Sequence, residues 1–284
     1  MCKADTCRYT GVNISDIVIV KINDLSTDVE ELKMLSEKTA LVTGAAGDLG
    51  NAMAVHLAKS GANVIMWDVK PANDVQDRIE KVTAEGTTVT YQVVDVRDRN
   101  RVDSAIANIK TLDIVCSNAG IVDAQPFLEV TLDNWNNTLD INLKGCFNVC
   151  QSAARKMVAD NTQGRIILTS SWVAQIPWPE ITPYTVSKAG VNMLTKQMAR
   201  ELSSYGIRVN AIAPGIVEAG LAGKQLREEP QYAARVAKVI PLGNPGTPKE
   251  IAEAVVYLAS PQTAYMTGTI LTLDGGCSLF QFDS

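Results

Sequence analysis

The chain has 284 residues, 46% hydrophobic and 20% charged, an ordinary globular composition and long enough for a core that needs no disulfide staples. Its net charge of −5 argues against nucleic acid or an anionic membrane as the main partner. No apolar run approaches the roughly 18 residues that would span a bilayer, so a cytoplasmic protein with a small-molecule partner is expected.

Residues 1 to 36 read differently from the rest. They lack the apolar stretch and small-residue cleavage site of a secretory signal, and their acidic residues count against a mitochondrial transit peptide. Ile17 to Val20 has the character of a short strand and Asp28 to Glu37 that of a short helix. From Lys38 onward strand, turn and helix alternate, which specifies a parallel sheet covered on both faces. Strands are read at Thr39 to Val42, Asn63 to Trp67, Val89 to Val94, Leu112 to Cys116, Arg165 to Thr169, Ile207 to Ile212 and Thr269 to Leu273. Helices are read at Asn51 to Ser60 and Asp98 to Ile109, with a long one from about Leu132 and another behind Pro183. One α/β domain over residues 37 to 284 follows, behind an N-terminal extension.

The first strand runs into the turn Thr43-Gly44-Ala45-Ala46-Gly47-Asp48-Leu49-Gly50. Glycines between a strand and a helix let backbone approach a pyrophosphate, and the helix start offers free N–H groups with partial positive charge. Asp48 would repel a pyrophosphate unless it caps the helix or faces solvent, and one of these is expected. Asp68 ends the second strand 24 residues after Gly44. A carboxylate there accepts both ribose hydroxyls of NAD and repels a 2′-phosphate, which selects NAD over NADP. Lys70, two residues on, counts mildly the other way.

Tyr184 and Lys188 stand four apart behind Pro183, near a helix start, so phenol and ammonium share one face. A free tyrosine has a pKa of about 10, and bringing it near 7 takes about 4 kcal/mol, much of which a neighbouring cation can supply. Ser171 lies 13 residues before the tyrosine, at the end of a buried strand. It is placed to hold a substrate oxygen while Tyr184 exchanges the proton.

A serine 13 residues before Tyr-x-x-x-Lys, behind a glycine-rich first turn, resembles the classical short-chain dehydrogenases/reductases, over about residues 37 to 284. The resemblance implies a doubly wound, Rossmann-type fold and hydride transfer between a nicotinamide cofactor and a secondary alcohol or its carbonyl. It implies Ser171, Tyr184 and Lys188 as the catalytic trio, Lys188 also orienting the ribose, and Asn142 as a fourth member organising a water chain to the lysine. Asp95 and Val96 would flank the adenine; Asn118, Ala119 and Gly120 match the family's Asn-Ala-Gly; Pro214, Gly215 and Ile216 would border the nicotinamide. Gly44 and Gly50 match the turn's first and last glycines, whereas Asp48 holds the middle position, with Gly47 just before it. Ala219 stands where the family often has a threonine that helps hold the carboxamide. A homotetramer is implied as well.

The six cysteines and the single histidine, His56, form no metal-ligand pattern, and no metal is expected. Cys146 and Cys150 read as a buried helix face, and His56 as a packing or surface residue. Trp172, Gln175 and Trp178, between Ser171 and Tyr184, are candidate substrate-lining residues. The segment Glu218 to Val239 is expected to form a lid, its charges a solvated helix face. Sugars or polyols, hydroxy acids, steroid-like alcohols and acyl thioesters stay open as substrates. The alternatives are an NADPH-dependent 3-oxoacyl-type ketoreductase and a catalytically silent nucleotide-binding scaffold.

Overall fold

Strand β1 (Thr39–Thr43) sets the layering, because its side chains alternate between two cores. Ala40 and Val42 face one and Leu41 the other, all three fully buried. Strands β4 (Ile114–Ser117) and β5 (Arg165–Thr169) divide in the same way, with Ile114, Cys116 and Ile167 on the first side and Val115, Ile166 and Leu168 on the second. Strands buried on both faces read as near-continuous apolar runs, and that made them visible in the sequence.

The computed structural model describes residues 33–279. In chain order follow α1 (Asp48–Lys59), β2 (Asn63–Asp68), α2 (Gln76–Thr83), β3 (Val89–Val93) and α3 (Arg99–Ala107). After β4 come α4 (Leu132–Leu139), a π-helical stretch over Asp140–Gly145, and α5 (Cys146–Ala159). Beyond β5 lie α6 (Thr182–Leu202), β6 (Arg208–Pro214), α7 (Gly220–Glu228), α8 (Pro230–Val239), α9 (Pro248–Ala259) and β7 (Ile270–Leu273). The strands form one parallel seven-stranded sheet in the order β3-β2-β1-β4-β5-β6-β7. Helices α1 and α9 pack together over the first core, and α3, α5 and α6 cover the second. This is the expected doubly wound Rossmann-type fold. The winding reverses between β1 and β4, which opens a crevice at the carboxyl ends of those strands.

The strand read at Ile17 to Val20 and the first half of the helix read at Asp28 to Glu37 lie outside the described residues. Lys33 to Glu37 forms turns, not helix: the Ser36 N–H donates to Lys33 O at 2.9 Å and the Lys38 N–H to Leu35 O at 3.1 Å. Leu35, read as part of the extension, is buried in the first core with Leu57 and Ala58. Cys146 and Cys150 are buried with their Sγ atoms 3.9 Å apart, and His56 sits near the end of α1 with Nδ1 2.8 Å from Ala52 O. Among the described residues no helix is long and apolar enough to cross a membrane, and no cluster of His, Cys, Asp or Glu could hold a metal.

Candidate active site

At the crevice the glycine turn wraps the start of α1 against β4. A Cβ on Gly50 would lie 2.1 Å from Gly44 O, and one on Gly44 would lie 2.9 Å from Ala119 Cα. Bare backbone is therefore obligatory there. Thr43, not singled out from the sequence, ties the turn to β4: its Oγ1 accepts the N–H groups of Asn118 and Ala119, both at 3.0 Å. The Asn118 side chain donates to Thr43 O at 3.1 Å and accepts from the Thr169 hydroxyl at 3.2 Å. The N-cap of α1 is Gly47, which offers no side chain, so the first N–H groups of the helix stay uncapped beside the crevice.

Asp48 neither caps α1 nor simply faces solvent. It is the first helical residue, and its carboxylate accepts from Arg78 Nη2 at 2.8 Å and from the Gly220 N–H at 3.0 Å. The Gly220 N–H, then the Arg78 guanidinium, hold its carboxyl below the usual range against the opposing effect of partial burial. Asp68 braces the same turn, accepting from the Ala46 N–H at 3.0 Å and the Val69 N–H at 2.9 Å. Asp95 is forked by Arg97, whose Nη2 lies 2.7 Å from Oδ2, and that bonding keeps its carboxyl low.

A cavity of about 710 Å³ runs along this crevice. At one end it is lined by Gly44, Gly47, Asp48, Leu49, Gly50, Asp68 and Lys70; Asp95, Val96, Arg97, Asn118, Ala119 and Gly120 follow. The other end is lined by Ser171, Tyr184, Lys188, Pro214 and Gly215, with Ile121, Val122 and Ala222, while Ala219, Gly220 and Leu221 line the cavity beside Asp48.

That second end is assembled by β5, α6 and the π-helical stretch. Pro183 in the first turn of α6 starts the helix, and one turn then separates Tyr184 from Lys188. The Lys188 ammonium is 3% exposed, donates to Thr169 O at 2.7 Å and lies 5.4 Å from the centre of the Tyr184 ring. Ser171, two residues past the end of β5, is extended, accepts from the Val173 N–H at 3.4 Å and acts on the Tyr184 phenol as a hydrogen-bonding neighbour. Asn142 falls in the π-helical stretch; its Oδ1 accepts from the Ile121 N–H at 2.8 Å, and its Nδ2 donates to Ile121 O at 2.9 Å and Ser187 Oγ at 3.1 Å. A methyl group on Gly120 would lie 3.2 Å from Asn142 Oδ1 and 3.6 Å from Lys188 Nζ, so these three positions are neighbours.

Burial pushes the Tyr184 phenol above its ordinary value, with the Ser171 hydrogen bond pulling the other way. Burial also draws the Lys188 ammonium down to about 8. The sequence expectation was that the lysine's charge would lower the tyrosine. In this structure burial sets the direction, the Ser171 hydrogen bond is what opposes it, and the ammonium is engaged with Thr169 O.

Four expected residues do not line this cavity. Trp172 is 5% exposed and packs with Val173, Val236 and Val239, because a 3-10 turn over Trp172–Ala174 carries the chain behind the site. Gln175 lies exposed on the same excursion. Ile216 is buried in that apolar cluster beside Trp172, and Val217 lines the cavity in its place. Trp178 is absent from the lining too; it meets Trp172 edge-on at 5.4 Å and carries the Arg235 guanidinium 4.1 Å over its ring. The segment expected as a lid forms α7 and α8, and Lys224 pairs with Glu228 on an exposed face at 3.8 Å.

Residues 44–278 match a family model described as enoyl-(acyl carrier protein) reductase. The chain is 36% identical over 250 residues to 3beta-hydroxysteroid dehydrogenase 1 of Eggerthella lenta, covering 87% of this chain and 95% of that one. It is also 36% identical over 255 residues to the oxidoreductase UcpA of Escherichia coli, covering 86% and 96%. A solved gluconate 5-dehydrogenase from Burkholderia cenocepacia, in complex with NADP and tartrate, superposes with a TM-score of 0.82 at 31% identity, covering 88% of this chain and 98% of that one. With the glycine turn, the serine, and the tyrosine and lysine one helical turn apart, this extent of match makes the chain a member of the classical short-chain dehydrogenase/reductase family of oxidoreductases.

Proposed function

We propose that the protein moves hydride between NAD(H) and a secondary alcohol or its carbonyl, with Tyr184 as the acid/base. The observation that carries this reading is the meeting of Ser171, Tyr184 and Lys188 at one end of a cavity whose other end is a bare glycine cradle and Asp68. The cradle fits a dinucleotide: no Cβ obstructs Gly44 or Gly50, and uncapped helix N–H groups suit a pyrophosphate. When bound, the nicotinamide supplies the hydride acceptor or donor. Tyr184 takes the hydroxyl proton in the oxidation direction and returns it in reduction, while Ser171 holds the oxygen. Lys188 holds positive charge beside the phenol. Asn142 fixes Ile121 and Ser187 on either side of the site.

Asp68 supports NAD because a 2′-phosphate would sit against its carboxylate. NADPH is favoured by one observation, Lys70 lining the cavity near Asp68. Titration of nicotinamide fluorescence separates them: NADH is expected to bind about tenfold or more tighter, a difference of about 1.4 kcal/mol. NADPH preference would move the reading to the ketoreductase, and binding of neither to the silent scaffold.

Besides Ser171, Tyr184 and Lys188, the lining at the substrate end is apolar (Ile121, Val122 and Ala222), whereas Lys70 and Arg97 line the stretch that holds Asp68 and Asp95. This favours an uncharged cyclic alcohol or ketone over an aldonic acid. For assembly, Val186 and Met193 are exposed seven residues apart on α6, and Phe147 is exposed on α5. We assign this apolar strip to self-association into a tetramer. Met193→Glu is then expected to yield a smaller species by light scattering after size exclusion, and an unchanged mass would remove the assignment.

A further inference from the structure

The two positions that depart from the family pattern, Asp48 and Ala219, meet in space. Asp48 Oδ2 accepts the N–H of Gly220, the residue after Ala219 and 172 positions along the chain from Asp48. Asp48 Oδ1 accepts from Arg78 just ahead of the middle of α2. One carboxylate thereby joins the start of α1, helix α2 and the first residue of α7. Asp48, Ala219, Gly220 and Leu221 all line the cavity, so this junction forms part of its wall. Ala219 offers no side-chain hydrogen bond of its own. Below it, Ala222 and Leu226 of α7 pack against the same apolar cluster as Tyr184.

We propose that Asp48 is a positioning residue that latches the α7–α8 lid to the glycine turn, so that the lid is held over the dinucleotide crevice by the protein itself. The proposal rests on the dinucleotide reading above. Its energetics oppose the simplest view of the residue. A carboxylate at a pyrophosphate site should repel the ligand, and removing it should tighten binding. As a latch, its removal should weaken binding, because a hydrogen bond to a charged group contributes roughly 1.5–3 kcal/mol, about tenfold or more in an equilibrium constant. Arg78 offsets the charge in the meantime.

The sign of the effect is therefore the test. Asp48→Gly and Asp48→Asn would be compared with the parent for NADH affinity and for tryptic cleavage without nucleotide, with Lys224 and Arg227 on exposed α7 as the scissile residues. The latch predicts about tenfold weaker NADH binding and about tenfold faster cleavage in α7 for Asp48→Gly, with Asp48→Asn in between. Thermal melting confirms that both variants are folded at the assay temperature. Unchanged cleavage, or tighter NADH binding, in folded Asp48→Gly overturns the proposal. If the parent binds neither NADH nor NADPH, the dinucleotide reading fails, and the cleavage rates still decide whether the latch exists.

Discussion

Replacing Tyr184 by phenylalanine is expected to lower kcat by about 10³-fold, inside the 10²–10⁴-fold range of general acid–base catalysis, while leaving NADH affinity nearly unchanged. The substitution removes one oxygen and keeps the ring that packs beside Ile216 and Ala222. Only the bond to Ser171 and the transferable proton are lost. Steady-state rates with a fluorescence titration check both halves, and a variant within tenfold of the parent in kcat would sink the mechanism. A pH profile adds direction. Burial raises the phenol, so alcohol oxidation, which needs phenolate, should climb through the alkaline range; carbonyl reduction, which needs the protonated phenol, should not.

Replacing Lys188 by methionine should cost about 10²-fold in kcat and at the same time make the protein more stable at neutral pH. The ammonium is 3% exposed, and burial draws it from 10.5 to about 8. Between those values the unfolded chain binds more protons than the folded one, so stability contributed at this site rises with pH through about 8 to 10.5. Below 8 the full penalty is present, on the order of 3 kcal/mol, and methionine removes it, less the bond to Thr169 O. Chemical denaturation at pH 7 and at pH 10.5 should show the gain at the lower pH and little of it at the higher. Equal gains at both would mean that the penalty is not one of charge burial. The reduction rate of the parent should also fall above pH 8, a limb that the methionine variant lacks.

The middle of the sheet was legible because β1, β4, β5 and β6 are buried on both faces, and the alternation of Leu41 against Ala40 and Val42 changes only which core each side chain enters. The glycine turn and the pair at 184 and 188 were legible because their chemistry is local to a few residues. Helix α2 was not read, since Val82 is the one residue of Gln76–Thr83 that is buried. Helix α9 could have been read: Thr247-Pro248-Lys249-Glu250 is a capping box with proline at the first helical position, and both halves of the box form. That Trp172, Gln175, Trp178 and Ile216 fall outside the cavity lining has a different cause. Sequence proximity to Ser171 or Pro214 says nothing about which way a turn carries the next side chain. The two bonds of Asp48, to Arg78 and Gly220, are tertiary and have no local trace.

The π-helical stretch at Asp140–Gly145 has a bearing on how this protein tolerates change. A wider turn holds one residue more than an α-helix of the same rise, so Asn142 points where a regular helix would have presented its neighbour. Shortening the stretch by one residue would let a regular α-helix run through it with the flanking helices close to their present phase, because the wider turn is what absorbs the extra residue. Asn142, inside the wide turn, would leave Ile121 and Ser187, while Cys146, Val149 and Cys150 of α5 would keep their places in the core. The wide turn thus lets one rod meet two demands, the site through Asn142 and the core through α5, and a one-residue deletion inside Asp140–Gly145 is expected to cost the site more than the fold.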